Sequence, residues 1–193
     1  NKIVRKKYLL YYGTFEPRKN LIYLVKAFVD LQENNEIPND YKLVLLGGEG
    51  WGHVKNAIRN FVRENFPIHT ENNIVVLDYL NDDYVSAFIK NASAVVYPSL
   101  YEGFGLPVLE SMALGTPVIS SKSSSLPEAG GDAILYMDPS DFFDLKEKMK
   151  YLIETPELAS KLSQKGIEQS KKFDWNESGV KLFNFLETLM TNA

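Results

Sequence analysis

The 193-residue chain contains no cysteine, which excludes disulfides and thiolate chemistry and leans towards a cytoplasmic location. It has two histidines. His53 and His69 are isolated, with no acid at ligand spacing, so no metal site is expected. There is no surplus of basic residues. Lys and Arg number 21 against 25 Asp and Glu, a net charge of −4, which argues against a general nucleic-acid binder. The run Arg5-Lys6-Lys7 is short and reads as a solvated strand edge. No apolar run approaches the roughly 18 residues of a spanning helix, and no signal peptide is visible. No direct membrane contact is therefore expected. P-loop, nucleophile-elbow and Ser-His-acid patterns are absent. The glycines of Gly47-Gly-Glu-Gly-Trp-Gly52 lack the G-x-G-x-x-G spacing, and no acidic strand end follows at about 20 residues, so a dinucleotide site is not expected. They read instead as a mobile turn at the mouth of a crevice.

Hydrophobic residues make up 45% of the chain and charged residues 24%, ordinary for a globular protein with a sizeable core. The chain opens on Asn1 and enters a strand almost at once, the profile expected of a domain from a longer protein. Apolar runs at 8–12, 41–46, 73–77, 94–97, 116–120 and 133–137 read as six strands. Helical periodicity separates them, with Leu21, Leu24, Val25, Phe28 and Leu31 on one helix behind Asn20 as N-cap. A second helix runs around Val54 to Asn65 and is closed by Pro67. A third follows Asn81-Asp-Asp83, with Val85, Phe88 and Ile89 as its buried stripe. After Asp138-Pro139 only helices follow, near 141–154, 156–172 and 176–190, and Trp175 reads as the anchor of the last one. Strands alternating with helices at these loop lengths predict right-handed βαβ units. The expectation is an α/β fold: a single Rossmann-like doubly wound parallel six-stranded sheet, with helices on both faces and a helical C-terminal tail. One domain spans 1–193, with 140–193 as its tail.

Ligands of such sheets sit beyond the carboxyl ends of the strands. The segment Tyr97-Pro-Ser-Leu-Tyr-Glu-Gly-Phe-Gly-Leu-Pro-Val-Leu-Glu110 lies there, running from a strand through a glycine turn into a helix. Pro107 suits a first helical turn. The N–H groups of Phe104, Gly105 and Leu106 are then left pointing out of a positive helix end. Gly103 and Gly105 carry no side chain to keep a ligand off that backbone. Glu102 and Glu110 bracket this anion seat with acceptor groups suited to hydroxyls. Arg18 and Lys19, in the loop after Gly13 and the first strand, are candidates to neutralise a diphosphate.

Together these segments resemble the carboxyl-terminal half of a retaining GT-B glycosyltransferase of the group-1 family. The resemblance rests on Gly13 with Pro17-Arg-Lys-Asn20, the 97–110 segment, Ala113-Leu-Gly-Thr-Pro-Val118, Leu126-Pro-Glu128 and Phe173-Asp-Trp175. This family includes bacterial mannosyltransferases of polysaccharide assembly and is related to sucrose and glycogen synthases. The resemblance implies that Glu110 holds the nucleotide ribose and that Glu102 lies near the donor sugar and its anomeric centre. It implies that the Phe104, Gly105 and Leu106 amides meet sugar and diphosphate, and that Lys19 pairs with the diphosphate. Tyr79 and Leu80 fall where the base is held. Glu102, Lys19 and Arg18 are thus the candidate catalytic residues. The candidate donor-binding set is Gly13, Arg18, Lys19, Tyr79, Leu80, Glu102, Gly103, Phe104, Gly105, Leu106 and Glu110. Where many members carry Arg after the first glycine this chain has Thr14, and Arg18 is the candidate to supply that charge.

The resemblance also implies a nucleoside-diphosphate sugar as substrate (GDP-mannose slightly ahead of UDP-sugars), retention at the anomeric carbon, and no metal or other cofactor. It implies an amino-terminal, acceptor-binding GT-B domain outside this chain, without which the chain would bind donor but not turn over. The alternatives are a non-catalytic nucleotide-binding module and a GT-B-like sugar-nucleotide epimerase domain.

Overall fold

The computed structural model describes residues 7–65 and 72–191. Pro67, His69, Arg5 and Lys6 lie outside them. Six strands form one all-parallel sheet: β1 (Tyr8–Tyr12), β2 (Lys42–Leu46), β3 (Ile74–Leu77), β4 (Ala94–Tyr97), β5 (Val118–Ser121) and β6 (Leu135–Met137), ordered β3-β2-β1-β4-β5-β6. The doubly wound expectation holds. Every residue of β1, β4 and β5 is buried, as strands covered on both faces should be, the polar Ser120 and Ser121 of β5 included.

The helices are α1 (Leu21–Glu33), α2 (Val54–Asn65), α3 (Asp82–Asn91), α4 (Leu106–Ala113), α5 (Leu126–Gly130), α6 (Phe142–Glu154), α7 (Pro156–Ser170) and α8 (Trp175–Thr191). Right-handed crossovers in this strand order put α1 and α2 on one face and α3, α4 and α5 on the other. Asn81 caps α3 through its side chain, which accepts the Tyr84 N–H. Asn20 does not cap α1. It sits at the N-cap position in the left-handed region, φ 58°, and its amide donates to Pro139 O at 3.2 Å. The reason is the Pro17–Lys19 3-10 turn just before it, which demands a left-handed residue to turn into the helix.

The tail packs in two of its three pieces. Helix α6 lies on α1, where Phe142 meets Tyr23 edge-on at 5.6 Å and the buried Lys146 pairs with Asp30 and Glu36. Helix α7 lies on α4, with Ser163 Oγ donating to Gly115 O at 2.5 Å. Helix α8 buries nothing. Its Val180, Leu182, Phe183, Phe185 and Leu186 are 48–60% exposed, and Trp175 is 81% exposed. Trp175 is therefore not the anchor of the tail. Phe173, two residues earlier, packs against the core instead. Among the described residues, no helix is long and apolar enough to cross a membrane.

Candidate functional site

The parallel register places the ends of β3, β2 and β1 level with one another, Leu77 beside Leu46 and Leu46 beside Tyr12, while Tyr97 of β4 sits beside Ser120 of β5. All the loops singled out from sequence leave this one edge. Strands lie about 4.8 Å apart, so the edge from β3 to β4 spans about 14 Å. That suits an extended ligand.

At the β1 and β4 loops the fold brings Arg18, Lys19 and Glu102 together. Lys19 Nζ lies 2.6 Å from Glu102 Oε1 and donates to Tyr97 Oη, also at 2.6 Å. These bonds use two of the ammonium's three protons. Arg18 donates to Glu102 Oε2 at 2.9 Å and to Tyr101 O at 3.0 Å, and its Nε lies 2.7 Å from Glu16 Oε2. Both oxygens of Glu102 thus face a cation. Lys19 and Glu102 are 5% and 7% exposed. Burial disfavours the Glu102 charge, but the bonds from Lys19 and Arg18 outweigh it and hold the carboxyl below its usual range. Burial likewise pulls Lys19 below the ordinary lysine value, and its bond to Glu102 only partly offsets that. Burial, with Glu102 nearby, pushes the Tyr97 hydroxyl well up, so it stays neutral. Ser99 Oγ is fully buried and, among the described residues, makes no hydrogen bond.

Glu110 stands apart from this cluster and is exposed on α4. Its Oε2 is 3.0 Å from the Tyr12 hydroxyl, which also reaches Pro107 O at 2.6 Å. Nothing in the sequence pointed to Tyr12 beyond its place at the end of β1. The turn between the two acids enters α4 at Leu106 through Gly105, whose φ of 101° a side chain would resist. A Cβ there would press on Leu126 Cδ2 at 3.0 Å, so at Gly105 the constraint is packing against α5. At Gly103 a Cβ would meet nothing within 4 Å, leaving open space at the turn. Among the described residues, no acceptor bonds the N–H groups of Phe104, Gly105 and Leu106. The Phe104 ring meets Phe173 edge-on at 5.9 Å, tying this turn to the start of the tail.

On the other side, Tyr79 is 75% exposed and Leu80 half-buried beyond β3. The neighbouring glycine loop is not the mobile turn expected. Phe15 N donates to Gly48 O at 2.9 Å and Gly50 N to Phe15 O at 3.1 Å, so it zips onto the loop after β1. A Cβ at Gly47 would lie 2.0 Å from Gly13 O, and one at Gly50 would lie 2.7 Å from Thr14 Cγ2. Close loop-to-loop contact explains these glycines. Lys55, which sequence reasoning missed, locks the same region. Its buried Nζ donates to Gly47 O, Leu77 O and Asp78 Oδ1 at 2.8, 3.0 and 2.6 Å, over the Phe15 ring at 5.1 Å. Thr14 is exposed, and the cations that reach Glu102 of the 97–110 segment are Lys19 and Arg18. Among the described residues, no group of three or more His, Cys, Asp or Glu could hold a metal ion.

The sheet order and the polar cluster on its carboxyl edge define a Rossmann-like domain of the kind that forms half of a GT-B glycosyltransferase. Sucrose-phosphate synthase from Thermosynechococcus elongatus superposes with a TM-score of 0.83 at 25% identity, over 100% of this chain and 47% of that one. TarM matches in fold with a TM-score of 0.78 at 21% identity, over 96% of this chain and 36% of its own. The chain belongs to the glycosyl transferases group 1, whose family model matches residues 1–169. O-antigen chain mannosyltransferase B of Escherichia coli is 34% identical over 184 residues, 94% of this chain and 46% of that protein. An uncharacterised glycosyltransferase of Methanocaldococcus jannaschii is 35% identical over 170 residues, 87% of this chain and 44% of its own. The chain thus spans less than half the length of these relatives.

Proposed function

We propose that this chain, 1–193 with 140–193 as its tail, is the donor-binding domain of a glycosyltransferase. The donor is a nucleoside-diphosphate hexose. One observation carries this reading. Two cations from the β1 loop converge on the first acid of an E-x7-E turn, while the second acid stands exposed one helical step away. In this reading Glu110 grips the ribose hydroxyls, and the main chain at Tyr79 and Leu80 receives the base. Lys19, Arg18 and the amides of Phe104, Gly105 and Leu106 offset the diphosphate charge without a metal. Glu102 lies by the anomeric centre, and Gly13 and Gly103 give the ligand room. Transfer proceeds with retention, by a front-face route in which the leaving phosphate takes the acceptor proton.

The mannosyltransferase relatives favour GDP-mannose, with UDP-sugars next, in glycan or polysaccharide synthesis in the cytoplasm. The acceptor is held by a second Rossmann-like half, a reading supported by relatives more than twice as long and by the uncovered apolar face of α8. The chain alone binds donor and does not turn over.

Calorimetry with GDP, UDP and ADP and their hexoses, in EDTA, tests the proposal. Binding of one nucleoside diphosphate family is expected, and Glu110→Ala should weaken it by about 1–3 kcal/mol, the worth of hydrogen bonds to a charged group. No binding by any of them, or unchanged affinity in Glu110→Ala, would refute the assignment.

A further inference from the structure

The segment that carries Glu102 is held from two sides. On one side, Arg18 bonds Tyr101 O, and Leu100 N donates to Arg18 O at 2.8 Å. On the other lies the serine-rich turn after β5. Ser121 Oγ and Ser123 Oγ both donate to Ser99 O, at 2.5 and 3.0 Å. Ser125 Oγ donates to Glu102 O at 3.0 Å, and Glu102 N donates to Ser124 Oγ at 2.9 Å. Consecutive serines therefore grip both the N–H and the C=O of the residue whose carboxylate meets Lys19 and Arg18.

Ser124 pays for its place in this grip. Its φ is +47°, a region where an L side chain is strained and glycine is not. The bend alone would be served better by glycine, since the turn is already closed by Leu126 N donating to Ser123 O and by Ala129 N donating to Ser125 O. What serine adds there is the hydroxyl on the Glu102 amide.

We propose that Ser124 is a positioning residue for Glu102. Its hydroxyl fixes the peptide from which that carboxylate is aimed, and Ser125 holds the other end of the same residue. The functional part of this inference rests on the donor-site reading above, in which Glu102 faces the sugar.

Ser124→Gly separates positioning from architecture, because it removes the hydroxyl and relieves the strain together. The expected variant melts at or above the wild-type temperature. Its Glu102 amide exchanges hydrogen faster, on the order of tenfold. Its affinity for GDP-mannose falls about three- to tenfold, one hydrogen bond's worth, while that for GDP holds. The same comparison is made with UDP-glucose and UDP. Unchanged amide exchange at Glu102 together with an unchanged sugar-to-nucleotide affinity ratio would overturn the proposal. So would a lower melting temperature with every ligand weakened alike, the signature of a purely architectural serine. If the wild type binds no nucleotide at all, the donor reading fails, and the exchange rate at Glu102 alone decides whether Ser124 holds it.

Discussion

Replacing Lys19 by Met keeps the length of the stem and removes the ammonium. Glu102 then remains 7% exposed with one oxygen stripped of its partner, while Arg18 still lies 2.9 Å from the other. Breaking a fully buried pair from one side costs about 3–5 kcal/mol, because the remaining charge is left without compensation. Arg18 covers part of that here, so the expected loss is about 2–3 kcal/mol. For a chain of this size that lowers the melting temperature by roughly 4–12 °C. Glu102→Gln made alone strands the Lys19 charge in the same way. The double variant strands neither, so its loss should fall short of the sum of the singles by about 1–3 kcal/mol. Thermal unfolding of the four proteins, followed by circular dichroism at pH 7, closes the cycle. Additive losses would show that Lys19 and Glu102 do not act as a pair, and the reading of this cluster as one charge-balanced unit would fall.

Other parts of the edge make independent predictions. Gly47→Ala should destabilise by about 2–4 kcal/mol in urea unfolding, since its φ of 153° and a Cβ 2.0 Å from Gly13 O leave nothing flexible to yield. Lys55→Met should destabilise by about 1–3 kcal/mol in urea unfolding, because Gly47 O loses its donor while Leu77 O keeps only the Gly47 N–H. Acid should act through Glu102. Its folded pKa lies below the ordinary 4.5, so the stability it contributes is complete above that value and is lost as pH falls below it. Glu102→Gln should flatten the fall of melting temperature with pH in that window, and an unchanged slope would assign the acid sensitivity elsewhere.

The doubly wound parallel sheet could be anticipated because β1 and β4 are continuous apolar runs alternating with helices, and a sheet covered on both faces buries such runs. The meeting of Arg18 and Lys19 with Glu102 was legible at the level of loops: both follow central strands of a doubly wound sheet and leave its carboxyl edge. Individual contacts were not. Lys55 carried no motif, and its three acceptors are Gly47 O, eight residues before it, and Leu77 O and Asp78 Oδ1, 22 and 23 residues after it. Asn20 is a good capping residue by type, yet the preceding 3-10 turn fixes its backbone where its side chain cannot cap. Trp175 carries the largest side chain of the tail, but the helix it begins buries none of its residues.

The glycines and serines teach the sharper lesson, because composition assigned them a common role that contacts then divided. Glycine beside a suspected ligand site reads as room for that ligand. Gly103 fits, with nothing within 4 Å, but Gly105 is small because Leu126 presses on it, and Gly47 and Gly50, which read as a mobile turn, are small because Gly13 and Thr14 press on them. Serines after a strand read as a polar turn, yet here they bond the backbone of the opposite loop. Both sets do the same mechanical work: they fasten the loops of neighbouring strands to one another. A site assembled from the ends of five strands needs that, since each loop alone is a flexible connection and only their mutual bonding fixes Lys19, Arg18 and Glu102 in one charge-balanced cluster. An anion entering this cluster meets cations already engaged by Glu102. The stiffness of the loops then decides whether the pair opens or shares its protons with the newcomer.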